Sequence, residues 1–260
     1  MRTFFKIKPR STRFYFALHS VCIIFATQKQ EKDMKIGIIV AMDKEMAQLK
    51  TLLSDAATER RGRTDFTTGN IGGKGIVLQK CGIGKVNSAV GAVEMIVNYQ
   101  PDVIISTGVA GGADNRMSVT DVVVGAEYCY HDAYCGDECQ FGQIMGMPPS
   151  FTAPAELVDK AMLSGGTTTV HKGLIVSGDW FVNTQNKMRA IIARFPKAVA
   201  VDMESCSIAQ VCHVYGVPFI SFRIISDLPL SDHKASQYYD FWERLAEGSF
   251  GVTKRFVETL

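Results

Sequence analysis

Three acidic residues occupy chemically suggestive places in this 260-residue chain: Glu45 just past the first apolar run, Glu204 inside VDMES, and Asp227 closing the run FISFRIISD. A carboxyl group can give a proton, take one, or accept hydrogen bonds from paired hydroxyls, and these three tasks call for three separate groups. Residues so distant in sequence meet when each follows a strand, because the strand ends of an open parallel α/β sheet converge on one crevice. Each carboxylate has an ordinary rival. Glu45 and Glu204 read equally as helix N-terminal charges complementing the helix dipole, and Asp227 as a helix cap.

The elements that would position them alternate in type. KIGIIVA reads as a strand and KEMAQLKTLL as a helix; FTTGNIGG and KGIVLQK form a hairpin, followed by a helix from Lys85 to Tyr99. Further on, DVIISTG, DVVVGAEYCYHD, TVHKGLIVSGD, AVAVDM and PFISFRIISD read as strands. They are separated by helices at APAELVDKAML, NKMRAIIARF and ESCSIAQVCHVYG, with a terminal helix over YYDFWERLAEGSFGVTKRFVETL. This alternation predicts an α/β fold: a single three-layer domain with a central mixed, mostly parallel twisted sheet flanked by helices. Length and a 47% hydrophobic content support one substantial core over residues 34–260.

Residues 1–33 stand apart. They carry seven Lys/Arg against two Asp/Glu, whereas the remainder carries 21 against 24, so the body is mildly acidic and offers no clustered basic surface for nucleic acid. The basic start followed by FYFALHSVCIIFA resembles a signal peptide but is too short to span a bilayer. The segment reads as an N-terminal extension, signal-like or a matter of start-site choice. Cytoplasmic residence is expected, with export as the alternative. The seven cysteines are odd in number, and Cys81, Cys206 and Cys212 in apolar segments read as buried free thiols. His131, Cys135 and Cys139 lack a CxxC pair or a second spaced histidine, so no metal is expected. No cofactor is expected either. GIGKV at Gly82 to Val86 fits neither a phosphate-cradling P-loop nor a dinucleotide fingerprint; its glycines read as turns that bring backbone N–H groups near a ligand.

The segments MKIGIIVAMDKEM, CGIGKV, STGVAGG, YHDA, GLIVSGDWF, VDMESCSIAQVC and RIISD, in that order, resemble the 5′-methylthioadenosine/S-adenosylhomocysteine nucleosidases of the purine nucleoside phosphorylase superfamily. The resemblance implies an enzyme that hydrolyses an N-glycosidic bond, with the following roles. Asp227 is the acid that protonates purine N7, steered by Ser226. Glu204 accepts the ribose hydroxyls beside Met203, and Glu45 takes a proton from the attacking water, with Arg223 helping to orient that water. Phe181 stacks on adenine and the Val182 backbone bonds its edge. Met42, Ile83 and Tyr238 line the ribose and thioether side, Gly111 also contacts the substrate, and a homodimer completes the pocket.

Burial favours the protonated form of an acid, as Asp227's role requires. Phosphorylases of the superfamily carry a Gly-Asp-Pro-x-Arg turn after the first strand, whereas Ala41-Met42-Asp43-Lys44-Glu45 stands here, and a carboxylate would repel phosphate. Three residues depart from the family pattern: Val109 where serine is common, Asp202 where glutamate is usual, and Trp180 for a small residue. A phosphorylase with another phosphate site, a futalosine-type nucleoside hydrolase and a non-catalytic nucleoside-binding protein remain open alternatives.

Overall fold

The computed structural model describes residues 34–231, 241 and 250–260. The expected extension over residues 1–33, Tyr238, and most of the front half of the expected terminal helix lie outside the described residues. Ten strands and six helices are described: β1 Lys35–Val40, α1 Asp43–Lys50, β2 Ser54–Arg61, β3 Thr64–Ile71, β4 Lys74–Lys80, α2 Lys85–Tyr99, β5 Val103–Gly112 and β6 Val122–Tyr130. They continue with β7 Phe151–Thr152, α3 Ala155–Leu163, β8 Val170–Ser177, α4 Gln185–Arg194, β9 Ala198–Asp202, α5 Ser205–Tyr215, β10 Phe219–Asp227 and α6 Gly251–Thr259.

The β-branched runs explain the central strands. β1 (KIGIIV) buries every residue after its first, and β10 (FISFRIISD) buries all nine, as expected of strands covered on both faces. Ile36, Ile38, Ile104, Ile105, Phe222 and Ile224 form the middle of the core, and Phe256 of α6 tilts against Phe222 with ring centroids 5.0 Å apart.

β1 lies between β4 and β5, parallel to both, and β5 runs parallel to β10. β10 then pairs antiparallel with β6, β6 parallel with β8, β8 parallel with β9, and β9 antiparallel with β5. Five strands therefore close into a ring, where the alternation of elements predicted an open sheet. Two crossings cause the closure: β9 reverses direction to meet β5 at Gly111 and Gly112, and β5 is long enough to serve β1, β10 and β9 at once.

Outside the ring, β4, β3 and β2 form an antiparallel meander. The β3–β4 hairpin matches expectation. β2 (SDAATERR) was not expected, because all eight of its residues are exposed and it carries no apolar period to announce a strand. Its charges suit an exposed sheet edge. Among the described residues no helix is long and apolar enough to cross a membrane.

Candidate active site

Glu45 is the third residue of α1, and its carboxylate folds back over the start of its own helix. Oε2 accepts the N–H groups of Ala41 and Met42, each at 2.9 Å. Oε1 accepts Val109 N–H from β5 at 3.1 Å, so one buried side chain caps a helix and ties two strand ends together. The ordinary reading of Glu45 as a helix N-terminal charge is therefore physically realised, yet it leaves Glu45 on the wall of a cleft. Burial raises its pKa, opposed by the nearby Arg223 charge and by the three N–H bonds.

Glu204 takes the N-cap position of α5, but its side chain makes no cap bond to its own helix. It reaches across to accept Gly84 N–H at 3.0 Å. The GIGKV turn was expected to turn its N–H groups toward a ligand; this one is committed to a protein carboxylate. Gly84 has φ +96°, and a Cβ there would sit 2.8 Å from Asp179 Oδ1, which requires glycine on both counts. Burial, reinforced by the negative charge of Asp202, pushes the Glu204 pKa up to about 7.

β10 supplies three polar residues, two of them through an irregularity. Adjacent strand residues point to opposite faces, yet Ser226 and Asp227 both line the cleft. The register against β5 slips between Ile225, opposite Ala110, and Asp227, opposite Gly111. A bulge at this point re-aims the strand end. Ser226 Oγ donates to Asp227 Oδ1 at 2.7 Å, as expected of a steering hydroxyl. Arg223 joins the cluster from behind without lining the cleft: Nε donates to Asp202 Oδ2 at 2.6 Å and Nη2 to Ser106 Oγ at 2.9 Å.

The loop after β8 forms the remaining wall. Asp179 N–H donates to Asp132 Oδ2 at 2.9 Å, Lys85 N–H donates to Asp179 Oδ1 at 2.8 Å, and Lys85 Nζ pairs with Asp132 at 2.8 Å. These bonds hold Trp180, Phe181 and Val182 over the cleft. Phe181 is 56% exposed, while Val182 is buried. Trp180 tilts onto buried His131 with ring centroids 5.3 Å apart.

The cleft holds a cavity of about 110 Å³ beneath an open mouth. Glu45, Ser226, Asp227, Glu204, Met203, Phe181, Val182, Met42, Ile83 and Gly111 all border it. Arg223 stands behind it, and Tyr238 is outside the described residues. Ala41, Ala110 and Val201 also border it and were not anticipated, since small apolar residues at strand ends carry no chemical signal. Cys206 and Cys212 are buried free thiols as expected, but Cys81 is only half-buried. Among the described residues no group of three His, Cys, Asp or Glu side chains could hold a metal ion.

The phosphorylase superfamily profile matches residues 35–258. The 5′-methylthioadenosine/S-adenosylhomocysteine nucleosidase of Desulfotalea psychrophila is 38% identical over 87% of this chain and 98% of its own length. The crystal structure of the Neisseria meningitidis nucleosidase of the same name, in complex with methylthio-immucillin-A, superimposes with a TM-score of 0.82 at 32% identity, covering 87% of this chain and 99% of that one. A futalosine hydrolase from Helicobacter pylori shares the fold with a TM-score of 0.80 at 28% identity, over 88% of this chain and 99% of its own. The ring-closed sheet, the carboxylate-bordered cleft and these likenesses agree that the chain belongs to the phosphorylase superfamily and, within it, to the 5′-methylthioadenosine/S-adenosylhomocysteine nucleosidases, hydrolases of N-glycosidic bonds.

Proposed function

We propose that this protein hydrolyses 5′-methylthioadenosine and S-adenosylhomocysteine, releasing adenine and the thioribose, with water as the nucleophile. The observation that carries this reading is the use made of the N–H groups of Ala41, Met42 and Val109. A helix N-terminus with clustered backbone donors is a ready anion site, where a phosphorylase would hold phosphate. Here the protein's own Glu45 carboxylate accepts all three. A second anion would meet both an occupied site and a repelling charge.

The roles then divide by position. Cleavage builds negative charge on the departing base and positive charge on the sugar. Asp227, held by Ser226, gives its proton to purine N7. Glu204, fixed by Gly84, accepts the ribose hydroxyls and favours the developing cation. Glu45 takes the proton of the attacking water. Phe181 stacks on the base, and Met42 and Ile83 present apolar surface to the thioether. Purified protein incubated with methylthioadenosine, S-adenosylhomocysteine, adenosine and inosine, with and without phosphate, tests this: adenine from the thioether nucleosides without phosphate is expected, and release that requires phosphate would exclude the reading.

A second reading, hydrolysis of a futalosine-type nucleoside, draws support from the fold likeness to the Helicobacter pylori enzyme. Release of base from futalosine faster than from the thioether nucleosides would establish it instead.

The helices α2 and α5 pack side by side and leave Val86, Val90, Val97, Val214 and Tyr215 exposed. Exposed apolar faces of this kind mark association sites, and we propose that a second copy covers this one, next to Ile83 at the cleft mouth. Sedimentation equilibrium that finds only monomer would reject the dimer. Cytoplasmic residence is part of the same proposal, supported by six free cysteines among the described residues.

A further inference from the structure

The carboxylates of the cleft share one cation. Glu45, Asp202, Glu204 and Asp227 are all buried, and Arg223 is the one buried Lys or Arg among the described residues. Its guanidinium fork is divided. Two nitrogens serve Asp202 and Ser106, while the third leans toward Glu45: a Cβ on Gly108 would lie 3.1 Å from Arg223 Nη1 and 2.5 Å from Glu45 Oε1. Only a bare glycine leaves both groups where they are.

Asp202 borders the cleft, yet both its oxygens are engaged by protein groups. Oδ1 accepts Ser177 Oγ–H at 2.5 Å, Oδ2 holds Arg223 Nε, and Ser205 N–H donates to both at 3.3 Å. Ser177 Oγ in turn accepts Cys206 N–H at 2.9 Å, which locks the arrangement to the first turn of α5. A carboxylate held on three sides is poorly placed to touch a substrate. It is well placed to hold the arginine.

Charges in a dry site are screened far less than in water. A bare guanidinium beside Glu45 would lower that carboxylate's affinity for protons and make it a poor acceptor from water. Paired with Asp202, the same guanidinium keeps its geometry and loses most of its net charge.

We propose that Asp202 is a positioning residue for the reaction: by anchoring and neutralising Arg223, it keeps Glu45 basic enough to take the proton of the attacking water. The inference rests on the reading of Glu45 as the base. The raised pKa of Glu45 agrees, since burial prevails there over the opposing Arg223 charge. The titratable and charged groups facing this cluster include Arg223 and Asp227 from β10, Glu204 and Cys206 from the start of α5, Tyr128 in β6, Cys81 after β4 and His131 after β6; burial raises the Tyr128 and Cys206 pKa values, which keeps both neutral. Burial pushes the Cys81 thiol up to about 12 and lowers the His131 pKa, so both are neutral in the relevant range.

The test follows the side-chain carboxyl resonance of Glu45 against pH in substrate-free, glutamate-labelled protein, alongside the pH profile of kcat/KM for methylthioadenosine. In Asp202→Asn the Glu45 midpoint and the acidic limb of the profile are both expected to fall by about one pH unit or more. Turnover at neutral pH should drop at least about tenfold, with KM little changed. Asp202→Glu, which keeps the charge, should return the midpoint toward the wild-type value. A folded Asp202→Asn protein with an unmoved midpoint overturns the proposal.

If that variant does not fold, Ser106→Ala decides. It removes the other partner of Arg223 and leaves Asp202, so the Glu45 midpoint should stay; a fall as large as one unit would show that Asp202 does not hold the arginine. Failure of the underlying function is separable, because a wild-type protein that releases no adenine rejects the hydrolase reading while the Glu45 midpoint still judges the Asp202 link.

Discussion

Strands β2 and β10 are opposite ways of carrying polar residues in one sheet. β2 exposes all eight of its residues, and its charges pair at the solvent surface, Arg60 with Asp65 at 3.7 Å and Arg61 with Glu59 at 3.0 Å. β10 buries all nine, including Arg223, Ser226 and Asp227, and each of these has a hydrogen-bond partner within the protein. Burial without a partner is costly, so the polar residues of β10 are tolerated only inside a network, and that network is the site. Polar residues at the exposed β2 edge keep access to water and need no such network.

The sharpest way to break this contrast is to disturb the packing that holds the network. Gly108→Ala would place a methyl group within 2.5 Å of Glu45 Oε1 and 3.1 Å of Arg223 Nη1. Both groups must then move, and turnover of methylthioadenosine is expected to fall by about 10²-fold or more, since small displacements of catalytic groups have effects of that size. Steady-state kinetics on the folded variant would measure it.

A smaller effect should appear in stability and with the opposite sign. The folded-state pKa of Glu204 stands at about 7 against an ordinary 4.5, so the native protein binds the extra proton between those values. Stability from this group is therefore present at low pH and is lost as the pH rises through about 7. Glu204→Gln should abolish turnover yet stabilise the fold at pH 8 by an amount on the order of 1–3 kcal/mol, seen as a higher Tm, and the gain should vanish near pH 4. Melting curves across that range would check the sign. At the other end of the sheet, Arg60→Gln should leave both Tm and turnover unchanged, because an exposed pair contributes little. A large loss there would dissolve the contrast between the two strands.

Much of the fold was legible because the buried strands announce themselves. The runs KIGIIV and FISFRIISD read plainly as strands, and the helix expected from about Lys85 to Tyr99 is there. Two features were not legible. β2 lacks any apolar alternation, so its only reason to be a strand is the partner β3. The ring closure depends on which strands pair, and that is decided by the packing of distant segments. At the site, residue types and motif order marked ten residues that do border one cleft. The bulge that turns both Ser226 and Asp227 inward left no trace in the sequence. An ion pair of Arg223 with some acid was a natural expectation, but its partner, Asp202, is set by how distant strands pack.

The central claim is that Asp227 protonates the leaving base while water, activated opposite it, attacks the sugar. The most direct test is turnover of methylthioadenosine in ¹⁸O-labelled water without phosphate, comparing wild type with Asp227→Asn. The account predicts one solvent oxygen in the released thioribose and a chemical step slowed about 10²–10⁴-fold in the variant. Unlabelled sugar, or an Asn variant as fast as wild type, would contradict it.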